Sequence, residues 1–389
     1  MSVTANQART FLGLLHQLCG RWRTDYALPA TIQTMLARER SFGSRDRRLY
    51  RELIYTTLRH LPWIEPLLDA HEDEAVRRVA WLAAAMPATA PFRADFAKGE
   101  PPTGDRAELL PAWFRTHCPE IFSGAELDAQ LRRAPVWLRL QSSAPEKILA
   151  EFAALGWSWR ASTVLPDAVE LLGEVDVTKT NAWKTGQVEV QDLGSQLLLE
   201  TLGLGPGGRW LDACAGAGGK TLQLARLLGP TGTVMAHDIR RAALDELGAR
   251  AARARLGNVR PTLQPPGADD FDGVLVDAPC SGSGTWRRSP HLKWTTTPAL
   301  VTERAALQTQ LLAKFARCVR SGGRLIYATC SLSPEENGRA VSSLLAAHAD
   351  FQPEPFARNF GYPPQAHGLT LLPARHDTDG FFVASLRRK

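Results

Sequence analysis

The chain has no uninterrupted apolar stretch of the roughly twenty residues needed to cross a bilayer. Its first residues, MSVTANQARTFLGLLHQLCGRW, hold only a short apolar turn and no small-residue cleavage site, so no secretory leader is expected. Cysteine is sparse. Cys19, Cys118, Cys214, Cys280, Cys318 and Cys330 lie far apart, and no two have the close spacing of a zinc knuckle. A disulfide framework and a metal cluster are therefore not expected, nor is a membrane association; the expected setting is cytoplasmic. Internal repeats are absent too, which excludes a solenoid.

What is present is an ordinary globular composition. With 44% hydrophobic and 22% charged residues, the chain can bury a sizeable core. Its 389 residues suggest two or three domains. The net charge is +6, carried mostly by Arg. A basic surface favours an anionic partner such as nucleic acid, although Arg-rich composition also follows from genomic base content.

Residues 1–88 have apolar positions at helical spacing, in Phe11-Leu12, Leu14-Leu15 and Leu18 and again in Leu49, Leu53-Ile54 and Leu58. Ser44 is placed to cap the second of these helices, and Arg45 and Arg47 in its basic opening are candidate phosphate contacts or a solvated face. Residues 89–107, rich in Pro, Ala, Gly and charge, read as a linker. Residues 108–185 mix elements and suggest a small α+β subdomain: Val136–Leu140 alternates like a strand, Val169–Leu172 reads as another, and Ser143–Leu155 reads as a helix whose Ser-Ala-Pro-Glu start forms a capping box. From 186 to 389 short apolar strands alternate with helices, which implies an α/β domain with a parallel sheet. Expected strands are Arg209–Asp212, Thr233–Asp238, Gly273–Asp277 and Arg324–Thr329, with helices Lys220–Leu228, Arg241–Leu256 and Pro298–Val319.

The chemically suggestive residues fall at the carboxyl ends of those strands, where such sheets bind ligands. Asp212-Ala213-Cys214-Ala215-Gly216-Ala217-Gly218-Gly219-Lys220 is a strand end, a Gly-rich loop and a helix start. A Walker A loop needs Gly six residues before Lys220, and Cys214 stands there. The G-x-G-x-x-G spacing is also missing, so a nucleoside-binding loop without a pyrophosphate fits best. Asp238, ending the next strand, can accept bonds from ribose hydroxyls or cap the following helix. Asp277-Ala278-Pro279-Cys280 and Thr329-Cys330-Ser331 each leave a later strand, and Pro334–Asn337 then opens a helix. Two cysteines thus lie at the ends of neighbouring strands beside the loop. Cys214 and Cys318 read as core residues, and His237 and His291 as loop histidines.

Three segments, DACAGAGGKT, DAPCSGSGTWRRSPHLKW and YATCSLSPEEN, resemble the motifs of the RsmB/NOP-type RNA cytosine-C5 methyltransferases. Val188–Gln196 resembles the segment leading into that family's catalytic domain, and Asp379–Ala384 is similar to its closing strand. Together the motifs cover about residues 108–389. The pair of Pro-Cys and Thr-Cys distinguishes the family from DNA cytosine methyltransferases, whose nucleophile is the Pro-Cys residue. More weakly, Phe42–Arg47 followed by Glu52–Tyr55 resembles a helical NusB-like domain, and the middle region resembles the family's small RNA-binding subdomain. The implied architecture is a helical NusB-like domain, a small α+β subdomain and a C-terminal Rossmann-like methyltransferase sheet.

The resemblance implies S-adenosylmethionine (SAM) as cofactor and RNA as partner, with 16S rRNA or an assembling small ribosomal subunit as the substrate. A monomer is expected. Cys214, Ala215, Gly216, Ala217, Gly218, Gly219 and Lys220 would line the SAM site, Asp238 would hold the ribose, and Asp277 would contact the methionine end or the base. Cys330 would add to cytosine C6, Cys280 would promote release, and Lys220 would reach the site. In this chemistry Asp277 would need to be protonated, or to share a proton with base N3, which a raised carboxyl pKa in a closed pocket allows. Arg139, Arg287, Arg288 and Lys293 would meet RNA phosphate with Arg45 and Arg47. Two departures stand out. Gly216 and Ala217 replace the family's Ala-Pro, and Thr262–Pro266 lacks the family's adenine-side Asp, leaving Gln264 as its substitute. Alternative readings are a silent RNA-binding or ribosome-assembly module, or a methyltransferase of a different RNA.

Overall fold

The computed structural model describes residues 2–268 and 270–389. They fall into two compact units. One comprises the chain up to Arg133 together with Thr285–Thr297, and the other comprises Ala134–Gly284 and Pro298–Lys389.

The first unit is helical. Its main helices span Val3–Leu18, Leu28–Arg38, Ser44–Arg59, Glu72–Leu82 and Ala90–Phe96. Ser2 caps the first by accepting the Ala5 N–H at 3.1 Å. Apolar residues repeated at helical spacing bury one face of each helix, and Phe11, Leu15, Leu53, Ile54, Val79 and Phe92 meet in one core. Two expectations change here. Gly43, not Ser44, is the cap of the third helix, and Asp46 reaches back to accept the Gly43 N–H at 3.0 Å. Within the stretch read as a linker, Ala90–Phe96 is a helix that buries Phe92 edge-on against Phe11, with ring centroids 6.4 Å apart.

Residues 285–297 also belong to this unit. Trp286 stacks obliquely on Phe114 with centroids 4.7 Å apart, and Trp294 donates its indole N–H to the Leu58 carbonyl at 2.6 Å.

The second unit holds two sheets. A small antiparallel sheet contains β1 (Val136–Leu140), β2 (Ser158–Ala161), β3 (Ala168–Leu172) and β4 (Val188–Val190), in the order β2-β3-β1-β4. The helix Pro145–Ala154 packs Ile148 and Phe152 onto Leu138, Leu140, Val169 and Leu171. Pro145 sits in its first turn as expected, but the capping box does not form. Ala144 occupies the cap, and Ser142 Oγ accepts the Ala144 N–H at 3.0 Å.

The larger sheet contains β5 (Arg209–Asp212), β6 (Thr233–His237), β7 (Val259–Thr262), β8 (Phe271–Asp277), β9 (Val319–Thr329), β10 (Phe351–Pro353), β11 (Pro364–Gln365), β12 (Gly368–Leu371) and β13 (Phe381–Arg388). Their order is β11-β12-β13-β9-β8-β5-β6-β7, with β10 on β13. Strands β5 to β9 are mutually parallel, while β13 runs antiparallel to β9. This is the Rossmann-like sheet expected. From β5 the chain winds outward through β6 and β7, then returns to place β8 on the other side of β5. That reversal opens a crevice at the carboxyl ends of β5 and β8. The four expected parallel strands form at β5, β6, β8 and β9, because their apolar runs are buried on both faces. No helix among the described residues is long and apolar enough to cross a membrane.

Candidate active site

Asp212 ends β5 at the crevice and is fully buried. It accepts the Thr221 hydroxyl at 2.7 Å and the Cys214 N–H at 3.4 Å. Burial, opposed by the Thr221 bond and reinforced by the nearby Asp277, pushes its carboxyl up to about 7. The loop that follows is stitched to β6 by Ala215 N–H on the His237 carbonyl at 2.9 Å. Gly216 and Gly218 take the left-handed conformation, at φ 54° and 90°. At Gly218 a Cβ would stand 2.8 Å from Leu247 Cγ, so glycine is required for packing as well as for the turn.

Asp238, just past β6, accepts the Gly216 N–H at 2.8 Å. Arg240 also donates to it, through its backbone N–H at 2.9 Å and its guanidinium at 3.0 and 3.1 Å. Burial raises the Asp238 pKa, but these donors outweigh it and hold the carboxyl below its ordinary value. The cofactor-side candidates Cys214 to Lys220 and Asp238 thus lie together at the ends of β5 and β6. Burial pushes the Cys214 thiol far up, with help from Asp212, Asp277 and Asp238. Gln264 is exposed beyond β7, its backbone N–H on Thr262 Oγ1 at 3.0 Å.

On the other side of the crevice, β8 and β9 pair in parallel with Asp277 opposite Ala328. Cys280 and Cys330 follow within a few residues, and their sulfurs meet at 3.2 Å. Both thiols are free and partly buried. The contact with Cys330, burial, and the charges of Cys330 and Glu336 hold the Cys280 thiol well above its ordinary pKa. Lys220 donates to Asp277 Oδ2 at 2.8 Å and lies 5.4 Å from the Phe381 ring centroid. Burial lowers the Lys220 pKa, but Asp277, and then Cys330, outweigh it and raise the value. Asp277 is thus ion-paired with the Lys220 ammonium at the mouth of the cysteine loops.

Sequence reasoning missed the residues that hold the two cysteine loops. Glu336, fully buried, accepts Ser281 N–H at 2.7 Å and Gln308 Nε2–H at 3.0 Å on one oxygen. Its other oxygen accepts the Ser281 and Ser331 hydroxyls, both at 2.5 Å. Asn337 donates to the Ser331 carbonyl at 2.8 Å and accepts the Thr329 hydroxyl at 2.6 Å. Pro334–Asn337 is thus a turn ahead of the helix Gly338–Ala347 rather than its first turn. The signal was the motif itself, but nothing in it said which acid points inward. The segment closing the domain also reaches the site. Gly380 donates to Gly284 at 2.7 Å, and Gly284 donates to the Cys330 carbonyl at 2.9 Å. A Cβ on Gly284 would stand 2.1 Å from Gly380 O.

The basic candidates are not brought together. Arg139 is buried; it donates to Gln191, to the Gly219 carbonyl at 3.2 Å and to Gln141 at 2.8 Å. Burial lowers its pKa to about 9. Arg287 is buried and donates to the Arg133 carbonyl at 3.3 Å. Lys293 is buried, donating to the Arg59 and Leu109 carbonyls at 2.7 and 3.0 Å. These three are corrected from RNA contacts to internal braces, because a phosphate cannot reach a side chain already enclosed. Arg47 donates to the Leu36 and Glu39 carbonyls at 3.1 and 3.3 Å, bracing the preceding helix end. Arg45 and Arg288 remain exposed.

A parallel sheet with a glycine loop and a buried acid after its second strand is a Rossmann-like frame, and its likeness to known proteins assigns it to the class of SAM-dependent methyltransferases. Solved structures share the fold. A methyltransferase homolog protein from Pyrococcus horikoshii superposes with a TM-score of 0.61 at 26% identity, covering 71% of this chain and 93% of that one. NSun6 from the same organism, solved with SFG, gives 0.64 at 18% identity over 74% and 98%. Residues 199–387 match the family model described as 16S rRNA methyltransferase RsmB/F. The ribosomal RNA small subunit methyltransferase B of Serratia proteamaculans is 33% identical over 293 residues, which is 72% of this chain and 67% of that protein. A probable ribosomal RNA small subunit methyltransferase B of Synechocystis is 34% identical, over 62% of this chain and 57% of the relative. The chain belongs to the RsmB/F methyltransferase family, and its match spans less than two thirds of the Synechocystis relative.

Proposed function

We propose that the chain methylates C5 of a cytosine in RNA, with small-subunit rRNA as the substrate and the cytoplasm as its setting. The observation that carries this reading is the pair of free thiols 3.2 Å apart at the ends of β8 and β9, beside the glycine loop. Cytosine C5 becomes a carbon nucleophile only after one thiolate has added to C6, and a second thiol in contact with the first can assist its release.

The residues present fit SAM. Gly216 and Gly219 have no tight neighbour where a Cβ would stand, and Asp238 is a buried acceptor beside them. When bound, SAM supplies an electrophilic methyl group. Lys220 and Asp277 lie between the cofactor loop and the cysteines.

In the proposed reaction, Cys330 Sγ forms a bond to C6 and electron density moves toward N3. The Lys220–Asp277 pair meets that density with a proton. C5 takes the methyl group, leaving the cofactor's sulfur as a neutral thioether; the N3 proton returns to the Lys220–Asp277 pair, and the C5 proton passes to solvent as the C5–C6 double bond re-forms. The C6–S bond breaks, and the electrons return to sulfur. A Cys280 thiol in contact with Cys330 Sγ donates to the departing thiolate, which favours release. Its raised pKa keeps it a thiol while Cys330 attacks C6 and is later expelled. The target base must leave its stack to reach Cys330, so it lies in a loop or partly folded RNA.

The test is incubation with small-subunit rRNA and methyl-labelled SAM, followed by nucleoside analysis. Label in 5-methylcytosine supports the reading, and label in another nucleoside, or none, overturns it.

A further inference from the structure

Two loops that leave different strands have no intrinsic reason to keep their sulfurs in contact. Each carries a serine directly after its cysteine, Ser281 after Cys280 and Ser331 after Cys330. Both serines are buried and both hydroxyls end on the same oxygen of Glu336. The second Glu336 oxygen takes the Ser281 backbone N–H at 2.7 Å. Gln308, on the helix Pro298–Ala316, completes the arrangement by donating at 3.0 Å to Glu336 and at 3.0 Å to the carbonyl of Pro279. Both neighbours of Cys280 and the residue after Cys330 are thereby tied into one enclosed network. A further bond, from the Tyr327 hydroxyl to the Glu336 carbonyl at 2.5 Å, fixes the backbone of the acid itself.

Burying a carboxylate costs free energy unless donors saturate it. Here four donors converge on its two oxygens. An apolar residue of similar size would fill the space without that desolvation cost, so packing alone does not call for an acid.

We propose that Glu336 is a positioning residue, whose carboxylate fixes the loops of Cys280 and Cys330 so that their thiols meet. It touches no reacting atom and acts through the two serines. The inference rests on the cysteine chemistry proposed above. In addition, Glu336 is one of the charges that help keep Cys280 a thiol.

The test uses the full chain and reads the thiol geometry without RNA. Diamide takes two hydrogens from the thiol pair; its N=N bond is reduced to a hydrazine and a disulfide forms between the two sulfurs. The rate of Cys280–Cys330 linkage, followed by peptide mapping, reports how often the sulfurs meet. In Glu336→Ala the rate should fall about tenfold or more, since disulfide closure demands a narrow geometry. The affinity for SAM should stay within about twofold, and kcat for methyl transfer should fall about a hundredfold, the scale of a reacting group displaced by an ångström. Glu336→Gln, which keeps one acceptor oxygen, should recover part of both rates. If Glu336→Ala fails to fold, the double variant Ser281→Ala/Ser331→Ala removes the two hydroxyl bonds from the other side and should slow linkage severalfold, less than Glu336→Ala because the Ser281 N–H and Gln308 bonds remain. Linkage at the wild-type rate in a folded variant overturns the proposal. If wild type links quickly and the variants slowly, yet no methyl enters cytosine, the functional reading fails and the positioning role stands.

Discussion

Arg240 closes on Asp238 with two guanidinium bonds at 3.0 and 3.1 Å, on the carboxylate that also accepts the Gly216 N–H of the cofactor loop. The arginine side chain is two-thirds exposed, at 67%, whereas that of Asp238 is 7% exposed. The acid is therefore already charged and oriented, and the group occupying it is free to swing into solvent. A ribose diol would have to displace that guanidinium. Arg240→Ala should then tighten SAM binding by about twofold to fivefold, the worth of a half-exposed ion pair. Asp238→Ala should weaken it by about 1.5–3 kcal/mol, the loss of a charge-assisted bond. Calorimetric titration measures both, and weaker binding in Arg240→Ala would mean that the arginine holds the cofactor rather than competing with it.

Cys280→Ala removes the thiol that contacts Cys330 Sγ but leaves Cys330, the proposed nucleophile, in place. Methyl transfer should still occur in a single turnover, while multiple turnover falls by about a hundredfold or more, the scale of lost acid–base help. A covalent RNA–protein band should build up on a denaturing gel. Normal turnover with no such band would remove Cys280 from the release step.

The pH dependence of stability should carry the mark of Asp212. Its folded-state carboxyl lies near 7 because burial disfavours the charge, against an ordinary value of 3.8. A raised folded value means the folded state binds the proton more tightly than the unfolded chain. That stabilisation is complete below about pH 4 and is lost as pH rises through about 7. The amount is on the order of 4 kcal/mol, at about 1.4 kcal/mol per unit. Asp212→Asn mimics the protonated form, so thermal melts should show the variant gaining on wild type between pH 5 and pH 8. A constant difference across that range would contradict the assignment.

How much of this was legible in the sequence depends on what each residue answers to. The parallel strands were, because Trp210-Leu211 and Val274-Leu275-Val276 are apolar runs that only a sheet covered on both faces can hide. That Cys280 and Cys330 lie at the ends of neighbouring strands was legible, since adjacent parallel strands deliver their carboxyl ends to one edge; their sulfur contact was not. The basic residues were not legible. Lys293 and Arg287 follow the cysteine loop in sequence, but the chain there enters the helical unit, where both are enclosed. A lysine that bonds two carbonyls has the same letter as one that binds phosphate. Glu336 was hidden for a similar reason, because Glu335 beside it is the one that faces an exposed arginine, Arg339, at 3.3 Å.

Lys293→Ala accordingly should leave the Arg59 and Leu109 carbonyls without their donor. It should lower stability by about 2–4 kcal/mol and leave the salt dependence of RNA affinity unchanged. Arg288→Ala, on an exposed residue, should instead reduce the salt slope by about one. Denaturant melts and filter binding across salt concentrations separate the two. A flattened salt slope in Lys293→Ala at wild-type stability would reinstate it as an RNA contact.

The most direct measurement is the mass of the cross-linked peptide from the Cys280→Ala adduct. After nuclease and protease digestion, the modified nucleotide should be carried on Cys330, as a 5-methylcytosine bonded through C6. A nucleotide on any other residue, or an adduct that survives Cys330→Ala, would contradict the assignment of the nucleophile.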